Sequence, residues 1–207
     1  MDSKKTEHKE SKETLRQYAE SILALEQFVV SSLNKQLKTH QSVLNSGEYS
    51  KVSHVLEEVQ GKLMVQVEDL HELIDEQLDG GKVAVMKESI GTATATLSGL
   101  FARLRAEPVS KLVRDTYLGL CALTCGYTMF YSSALATDKE AIAKAALKRL
   151  KELTPLVVHL SEALPFAVVA ELELDAAKNH PALARLAKFG TREAWAGEHV
   201  HSPLTAE

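Results

Sequence analysis

Four long segments of the sequence repeat apolar residues every three or four positions, and this period decides the fold class. In the first segment the repeat begins at Glu13 and includes Leu15, Ile22 and Val29. Residues three and four apart lie on one face of an α-helix, whereas a half-buried strand would need strict alternation. The chain has only 5 prolines and 10 glycines, so few positions would interrupt long helices. The sequence therefore predicts an all-α fold.

Turn-forming residues divide the periodic region into its segments. Residues 45–47 (Asn-Ser-Gly) predict the end of the first helix, and residues 79–81 (Asp-Gly-Gly) predict the end of the second. Pro108 is expected in the first turn of the third helix, and residues 137–140 match a capping box that would open the fourth. The short first loop and a long connection over residues 80–108 are typical of a four-helix bundle with one crossover.

The remaining parts of the chain are assigned around this bundle, which we expect to span residues 13–164. Residues 1–12 are charged with both signs and predict a disordered, solvated tail. The fourth helix is expected to end at the proline that opens residues 165–190, a region of additional short helices. Residues 191–207 are predicted as a C-terminal tail that docks through Trp195.

A stretch without any charge lies between Asp115 and Asp138. Its length would cross a bilayer, but its threonines, tyrosines and serines make it too polar for a convincing span. A helix without a charged face is instead expected to be buried on nearly every side. We therefore place the third helix at the centre of a soluble bundle and expect no membrane partner.

Composition narrows the possible partners and the location. The net charge of −4 lacks the basic field that nucleic-acid binders usually carry, so no nucleic-acid partner is expected. The amino terminus has no apolar run behind basic residues, which argues against a secretory signal. A cytoplasmic location is the default expectation.

The third and fourth segments resemble a known group. EPVSKLVRDTYLGLCALTCGYTMFYSSALAT and KEAIAKAALKRLKELTPLVVHLSEALP are similar to small bacterial ferritin-like proteins, in which a "DP(V/I)S..LRD.Y" motif precedes an uncharged third helix and an "LK.LTPL" turn lies in the fourth. The resemblance covers residues 105–170 well. It implies a ferritin-like bundle that pairs as a homodimer and binds iron or manganese for iron oxidation, storage or peroxide stress. Any enzyme would be a non-haem metal oxidoreductase, although many relatives have lost their ligands.

The first two helices carry three candidate metal ligands. Di-iron bundles take a Glu from each of two helices and a Glu-x-x-His pair from each of the other two. Glu26 falls on the apolar face of the first helix, where a carboxylate is costly unless it is paired, protonated or bound to metal. On the second helix Glu68 and His71 have the three-residue spacing that lets both reach one ion. His71 can lean inward, but Glu68 lies beyond the apolar edge.

The third and fourth helices supply weaker candidates. Asp115 takes the place of the acid in the family's RD motif, where it would ligate metal or form an ion pair with Arg114 or with a lysine of another helix. Glu152 and His159 share a stripe that flanks the apolar face of the fourth helix. No second Glu-x-x-His pair is present in that helix. This absence predicts a degenerate or single-metal site at most.

Three functional hypotheses stay open at this point. The first is a metal-binding stress protein with Glu26, His71 and Asp115 as ligands, completed by Glu68, Glu152 or His159. The second is a non-enzymatic helical scaffold in which these residues are structural. The third is a bundle that holds a small apolar ligand between its helices. The core tyrosines are expected to find hydrogen-bond partners for their hydroxyls in any of the three.

Overall fold

The computed structural model describes residues 2–78, 108–172 and 180–196. Side chains are described for all of these residues except 2–12, 180 and 196. The described residues are helical apart from short turns and contain no strand, which confirms the all-α prediction. A single 3-10 turn, Gly47–Tyr49, joins the first two helices. The predicted crossover lies outside the described residues except for Pro108. The helices are α1 (Asp2–Leu44), α2 (Ser50–Gln77), α3 (Pro108–Ala136), α4 (Glu140–Glu171) and α5 (His180–Ala196).

The four long helices surround one core in the closed order α1, α2, α4, α3, and α5 packs against α4. Side-chain contacts give their directions. Along α1, Glu26 contacts Tyr127 of α3, while Val29 lies against the earlier residue Gly119, so α1 and α3 are antiparallel. The contacts of α2 with α4 run in the same antiparallel sense.

Two glycines of α3 allow a close approach to α1. A Cβ atom added at Gly119 would lie 2.8 Å from Cγ2 of Val29, which is closer than real Cβ atoms come. At Gly126 the added atom would lie 3.2 Å from Cγ1 of Ile22. The small residues of this helix therefore set the distance between α1 and α3.

The prediction that α3 is buried on nearly every side is wrong, because α3 buries only one face. Leu120, Leu123 and Phe130 are fully buried, whereas Met129 is 47% exposed and Leu135 is 53% exposed. After Asp115 the exposed face of α3 carries hydroxyl groups rather than charged ones. Three of these hydroxyls donate hydrogen bonds to backbone carbonyls of the same helix. These bonds, each of 2.8 Å, are made by Thr124, Thr128 and Ser132.

Two helices of the described chain, Pro108–Ala136 and Glu140–Glu171, are long and apolar enough to cross a membrane by length and composition. Core helices of soluble bundles meet the same criterion. The buried share of the apolar window is 33% in α3 and 28% in α4. The criterion alone therefore does not assign a membrane location.

The capping box predicted at the start of α4 is not formed. Lys139 is the residue before the helix and makes no side-chain capping bond. The Thr137 hydroxyl instead donates to the Ser133 carbonyl of α3 at 2.8 Å. Asp138 adopts a positive φ of 54°, and the Lys139 N–H donates to the Ala134 carbonyl at 2.9 Å. Residues 137–139 thus form a Schellman motif that ends α3.

Helix ends differ from the predicted ones at three further places. α1 begins at Asp2, so residues 2–12 are helical rather than a disordered tail. α4 continues through Pro165, because Ala167 packs in the core and Glu171 accepts bonds from the Val109 and Ser110 N–H groups at 2.7 and 2.9 Å. Those N–H groups belong to the first turn of α3 and have no partner within their own helix.

The C-terminal region is also more helical than predicted. α5 continues to Ala196 and includes Trp195, which was assigned to the tail. The Trp195 ring lies 6.2 Å from the ring of Tyr117, so this residue does contact the bundle as expected. Residues 197–207 lie outside the described chain.

Candidate functional site: the central cluster

Glu26 is fully buried, as its place on the α1 face predicted. Its Oε1 accepts a hydrogen bond of 2.9 Å from the Tyr127 hydroxyl of α3. Its Oε2 is buried and has no hydrogen-bond partner among the described residues. The expectation that a core tyrosine finds a partner is therefore confirmed at Tyr127, and the partner is Glu26, the carboxylate that α1 buries within its described residues 13–44.

Arg149 of α4 lies next to this pair and is only 7% exposed. Its guanidinium donates to Glu152 at 2.8 Å and to the Asp69 carboxylate of α2. The Gln66 amide also donates to Glu152, at 3.2 Å, whereas its own Oε1 is buried without a partner among the described residues. All four long helices thus contribute to one polar site, the central cluster: Glu26, Gln66, Asp69, Tyr127, Arg149 and Glu152.

Helix geometry explains how the cluster is assembled. Gln66 and Asp69 are three apart on α2, and Arg149 and Glu152 are three apart on α4, so each pair projects from one helix face. Buried apolar residues flank both pairs, Leu63 and Leu70 on α2 and Ala146 and Leu153 on α4. The cluster therefore reaches from the core, at Glu26 and Tyr127, to the surface, where Asp69 is 42% and Glu152 30% exposed.

Burial and nearby charges shift the titration of this site. Burial raises the pKa of Glu26 to about 7, although the Tyr127 hydrogen bond and the Arg149 charge lower it. Burial also raises the pKa of Tyr127, and the Glu26 carboxylate raises it further. Burial is the largest single influence on the pKa of Arg149 and lowers it, but the hydrogen bond to Asp69 and the nearby Tyr127, Asp69 and Glu152 groups together raise this pKa above its ordinary value. Arg149 is therefore a cation and Tyr127 a neutral hydroxyl.

Of the six candidate ligands, the structure brings only Glu26 and Glu152 into the central cluster. Glu68 is exposed. His71 lies 3.4 Å from Asp75, and both side chains are about half exposed, at 49% and 47%. The Glu-x-x-His pair of α2 therefore faces solvent.

The other two candidates also have partners away from the cluster. Asp115 forms an ion pair with Arg114 at 2.8 Å, which is the alternative that the sequence left open. His159 is 44% exposed and lies 3.2 Å from Glu58 of α2.

The residues of the cluster do not fit a dinuclear iron or manganese centre. A guanidinium has no lone pair for a metal and occupies the carboxylates of Asp69 and Glu152. Within the described ranges, no group of three or more His, Cys, Asp or Glu residues could hold a metal ion. Among the described atoms of the cluster, Glu26 Oε2 and Gln66 Oε1 are the buried oxygens without a hydrogen-bond partner.

Sequence reasoning missed the residue at the centre of the site. The angular test that placed Glu26 on the core side of α1 also places Arg149 on the core side of α4, between Ala146 and Leu153. Applied to basic residues as well as to acids and histidines, the test would have found it.

Comparison of the chain with protein-family models, curated proteins and solved structures gave no match. The functional argument therefore depends on the geometry of the cluster.

Proposed function

We propose that this protein is a ferritin-like four-helix bundle that works without a dinuclear metal centre, as a non-enzymatic helical scaffold. The observation that carries the proposal is the buried Arg149 guanidinium, which bonds carboxylates from α2 and α4 at the middle of the bundle. In di-metal bundles two cations hold inward-facing carboxylates together. Here one side chain supplies the positive charge.

The arrangement of the helices supports the ferritin-like part of the proposal. Neighbouring helices are antiparallel, with α1 against α3 and α2 against α4, so the diagonal helices α2 and α3 run in the same direction. Two antiparallel hairpins joined by one long crossover have this order of directions. The resemblance of α3 and α4 to small bacterial ferritin-like proteins agrees with it.

The charges of the cluster support the metal-independent part. Arg149 pairs with the carboxylates of Asp69 and Glu152, and Lys148 lies 3.9 Å from Glu152, so cations of the chain already balance these two acids. A buried negative charge at Glu26 has no such partner among the described residues and would be costly. Because the raised pKa of Glu26 is about 7, about half of this acid is neutral at pH 7. Proton binding and an arginine together thus compensate the acids without a metal.

Metal analysis of the purified chain tests the proposal. We expect iron and manganese far below one ion per chain after expression with both metals supplied, and the same low content in Glu26→Gln and Glu152→Gln. The control is His71→Ala, which removes a surface histidine outside the cluster. The proposal is overturned by one or two metal ions per chain that are lost in the two cluster variants and kept in the control.

One observation favours a second candidate, a single-metal stress protein. Glu26 Oε2 and Gln66 Oε1 are buried oxygens with no hydrogen-bond partner in the described part of the chain. Carboxylate and amide oxygens are ligands that hard cations such as manganese prefer. One ion per chain, lost in both Glu26→Gln and Gln66→Met, would favour this candidate over the scaffold. A cytoplasmic location and a homodimer are predictions under both.

A further inference from the structure

An open pocket of about 290 Å³ lies between α2, α4 and α5, away from the central cluster. Its nearest lining residue on α2, Val55, is 11 residues from Gln66, or about 16 Å of helix, and on α4 His159 is 7 residues from Glu152, or about 10 Å. Six of its lining residues carry the argument below: Lys51, His54, His159, Glu162, Phe166 and Lys188.

The lining carries more positive than negative groups. Its one acid, Glu162, is paired with Lys188 at 2.7 Å, a bond that also ties α5 to α4. His159 lies 3.2 Å from Glu58. Lys51 and His54 have no carboxylate partner among the described side chains. The Lys51 ammonium is therefore an uncompensated positive charge on the α2 side of the pocket.

An aromatic ring lies beside this charge. The Lys51 ammonium is 4.4 Å from the centre of the Phe166 ring, within the range of a cation–π contact. This contact holds the amine near the mouth of the pocket rather than leaving it free in solvent. Val55 and Ala163 extend the apolar surface around the ring. Charge and apolar surface thus occur side by side, as they do in pockets for small molecules.

We propose that this pocket binds a small organic anion that carries a flat ring, such as an aryl phosphate or an aryl carboxylate. The anionic group contacts Lys51 and His54, and the ring packs on the apolar surface formed by Phe166 and Ala163. The volume of about 290 Å³ accommodates one such ligand, since pockets for small molecules begin near ~300 Å³. This inference is independent of the scaffold proposal, because no residue of the central cluster takes part.

Titration of the full chain by amide NMR tests the pocket, with phenyl phosphate and benzoate as probes. Inorganic phosphate and benzyl alcohol supply the charge and the ring separately. We expect saturable shifts of amides near Lys51, His54 and Phe166 with at least one aryl anion, and at least tenfold weaker binding of both separate parts. The affinity should fall as salt is raised from 20 to about 200 mM, because exposed charges are screened. The two aryl probes distinguish a phosphate from a carboxylate ligand.

A matched pair of variants on α2 assigns the effect to the pocket. Lys51→Glu should weaken binding at least tenfold, and Lys51→Met, which keeps the contact with Phe166, should weaken it severalfold. Lys62→Glu changes the same charge at an exposed site outside the pocket and should leave the affinity unchanged. The proposal is overturned if Lys51→Glu and Lys62→Glu bind the probe equally well, or if neither aryl anion gives saturable shifts.

Discussion

The α1–α3 and α2–α4 interfaces of the bundle accommodate their polar side chains in different ways. Between α1 and α3 the helices approach closely at Gly119 and Gly126, and the Glu26–Tyr127 hydrogen bond is the polar contact. Between α2 and α4 the polar contacts include ion pairs, of which Arg149 with Asp69 is the most buried. The buried acid of the first interface, Glu26, has no cation in hydrogen-bond contact among the described residues, whereas the partly exposed acids of the second, Asp69 and Glu152, share the Arg149 guanidinium.

The comparison shows that the favoured protonation state of an acid depends on its burial and on the group to which it is hydrogen-bonded. Asp69 and Glu152 bond directly to a guanidinium, so their charge is stabilised in place. Glu26 meets a neutral hydroxyl, and burial raises its pKa to about 7. One interface is thus held by charge and the other by close packing around a protonatable acid. The predictions below separate these two cases.

The largest effect is expected at the charged interface, from Arg149→Met. This change leaves Asp69 without its cation and Glu152 with Lys148 at 3.9 Å only, and we expect the free energy of unfolding to fall by about 3 kcal/mol. Urea unfolding at pH 7.5 measures it. Lys144→Ala is the control, because Lys144 pairs with Glu140 on the same helix but is 75% exposed, and should cost no more than about 0.5 kcal/mol. Equal losses in the two variants would contradict the role given to Arg149.

The next effect concerns the pH dependence of the α1–α3 interface. The folded-state pKa of Glu26, about 7, lies above the ordinary value of 4.5, so the folded protein binds the proton more tightly than the unfolded chain does. Its contribution to stability is then fully present below pH 4.5 and is lost as the pH rises through 7. Glu26→Gln, which imitates the protonated acid, should gain about 2–3 kcal/mol relative to the native protein between pH 4.5 and pH 8.

Unfolding in urea across this pH range, for both proteins, gives the difference directly. Tyr127, Arg149, Asp69 and Glu152 surround Glu26 and are the same in both proteins, so the difference in stability reports on position 26. A difference that stays constant with pH would mean that Glu26 is charged in the folded protein throughout.

A smaller effect tests the close packing of the same interface. In Gly119→Ala the new methyl would meet Val29 at 2.8 Å, and we expect a loss of about 1–2 kcal/mol in spite of the better helix propensity of alanine. Gly61→Ala on α2 is the matched control, since nothing lies within 4 Å of its added atom, and should gain about 0.5–1 kcal/mol. Thermal unfolding compares the two. A gain in both variants would show that α1 and α3 are not in close contact.

The features that the sequence predicted well are those that depend on a local pattern. Apolar periodicity identified the helices, Pro108 marked the start of α3, and the buried place of Glu26 followed from the angle between residues on α1. Predictions from local patterns were wrong at helix ends where a side chain forms hydrogen bonds with another helix. The Thr137 hydroxyl bonds α3 rather than capping α4, and α4 continues through Pro165 because Glu171 reaches the first turn of α3.

The central cluster could be predicted only in part for the same reason. Glu152 lies on a flanking stripe of α4, and nothing in the spacing along one helix indicates that it shares Arg149 with Asp69 of α2. The Glu-x-x-His spacing of Glu68 and His71 is correct for a metal site, yet the pair faces solvent. Spacing determines which residues share a face, but the rotation of a helix in the bundle decides where that face points.

The most direct test of the account is the unfolding temperature of the native chain in EDTA and in excess manganese or anaerobic ferrous iron. Because Arg149 already holds the central carboxylates, we predict the same temperature, to within about 1 °C, under all three conditions. A saturable rise of roughly 5–10 °C with metal, the size expected for ligand near a hundredfold over its Kd, would contradict it if Glu26→Gln and Glu152→Gln abolish the rise.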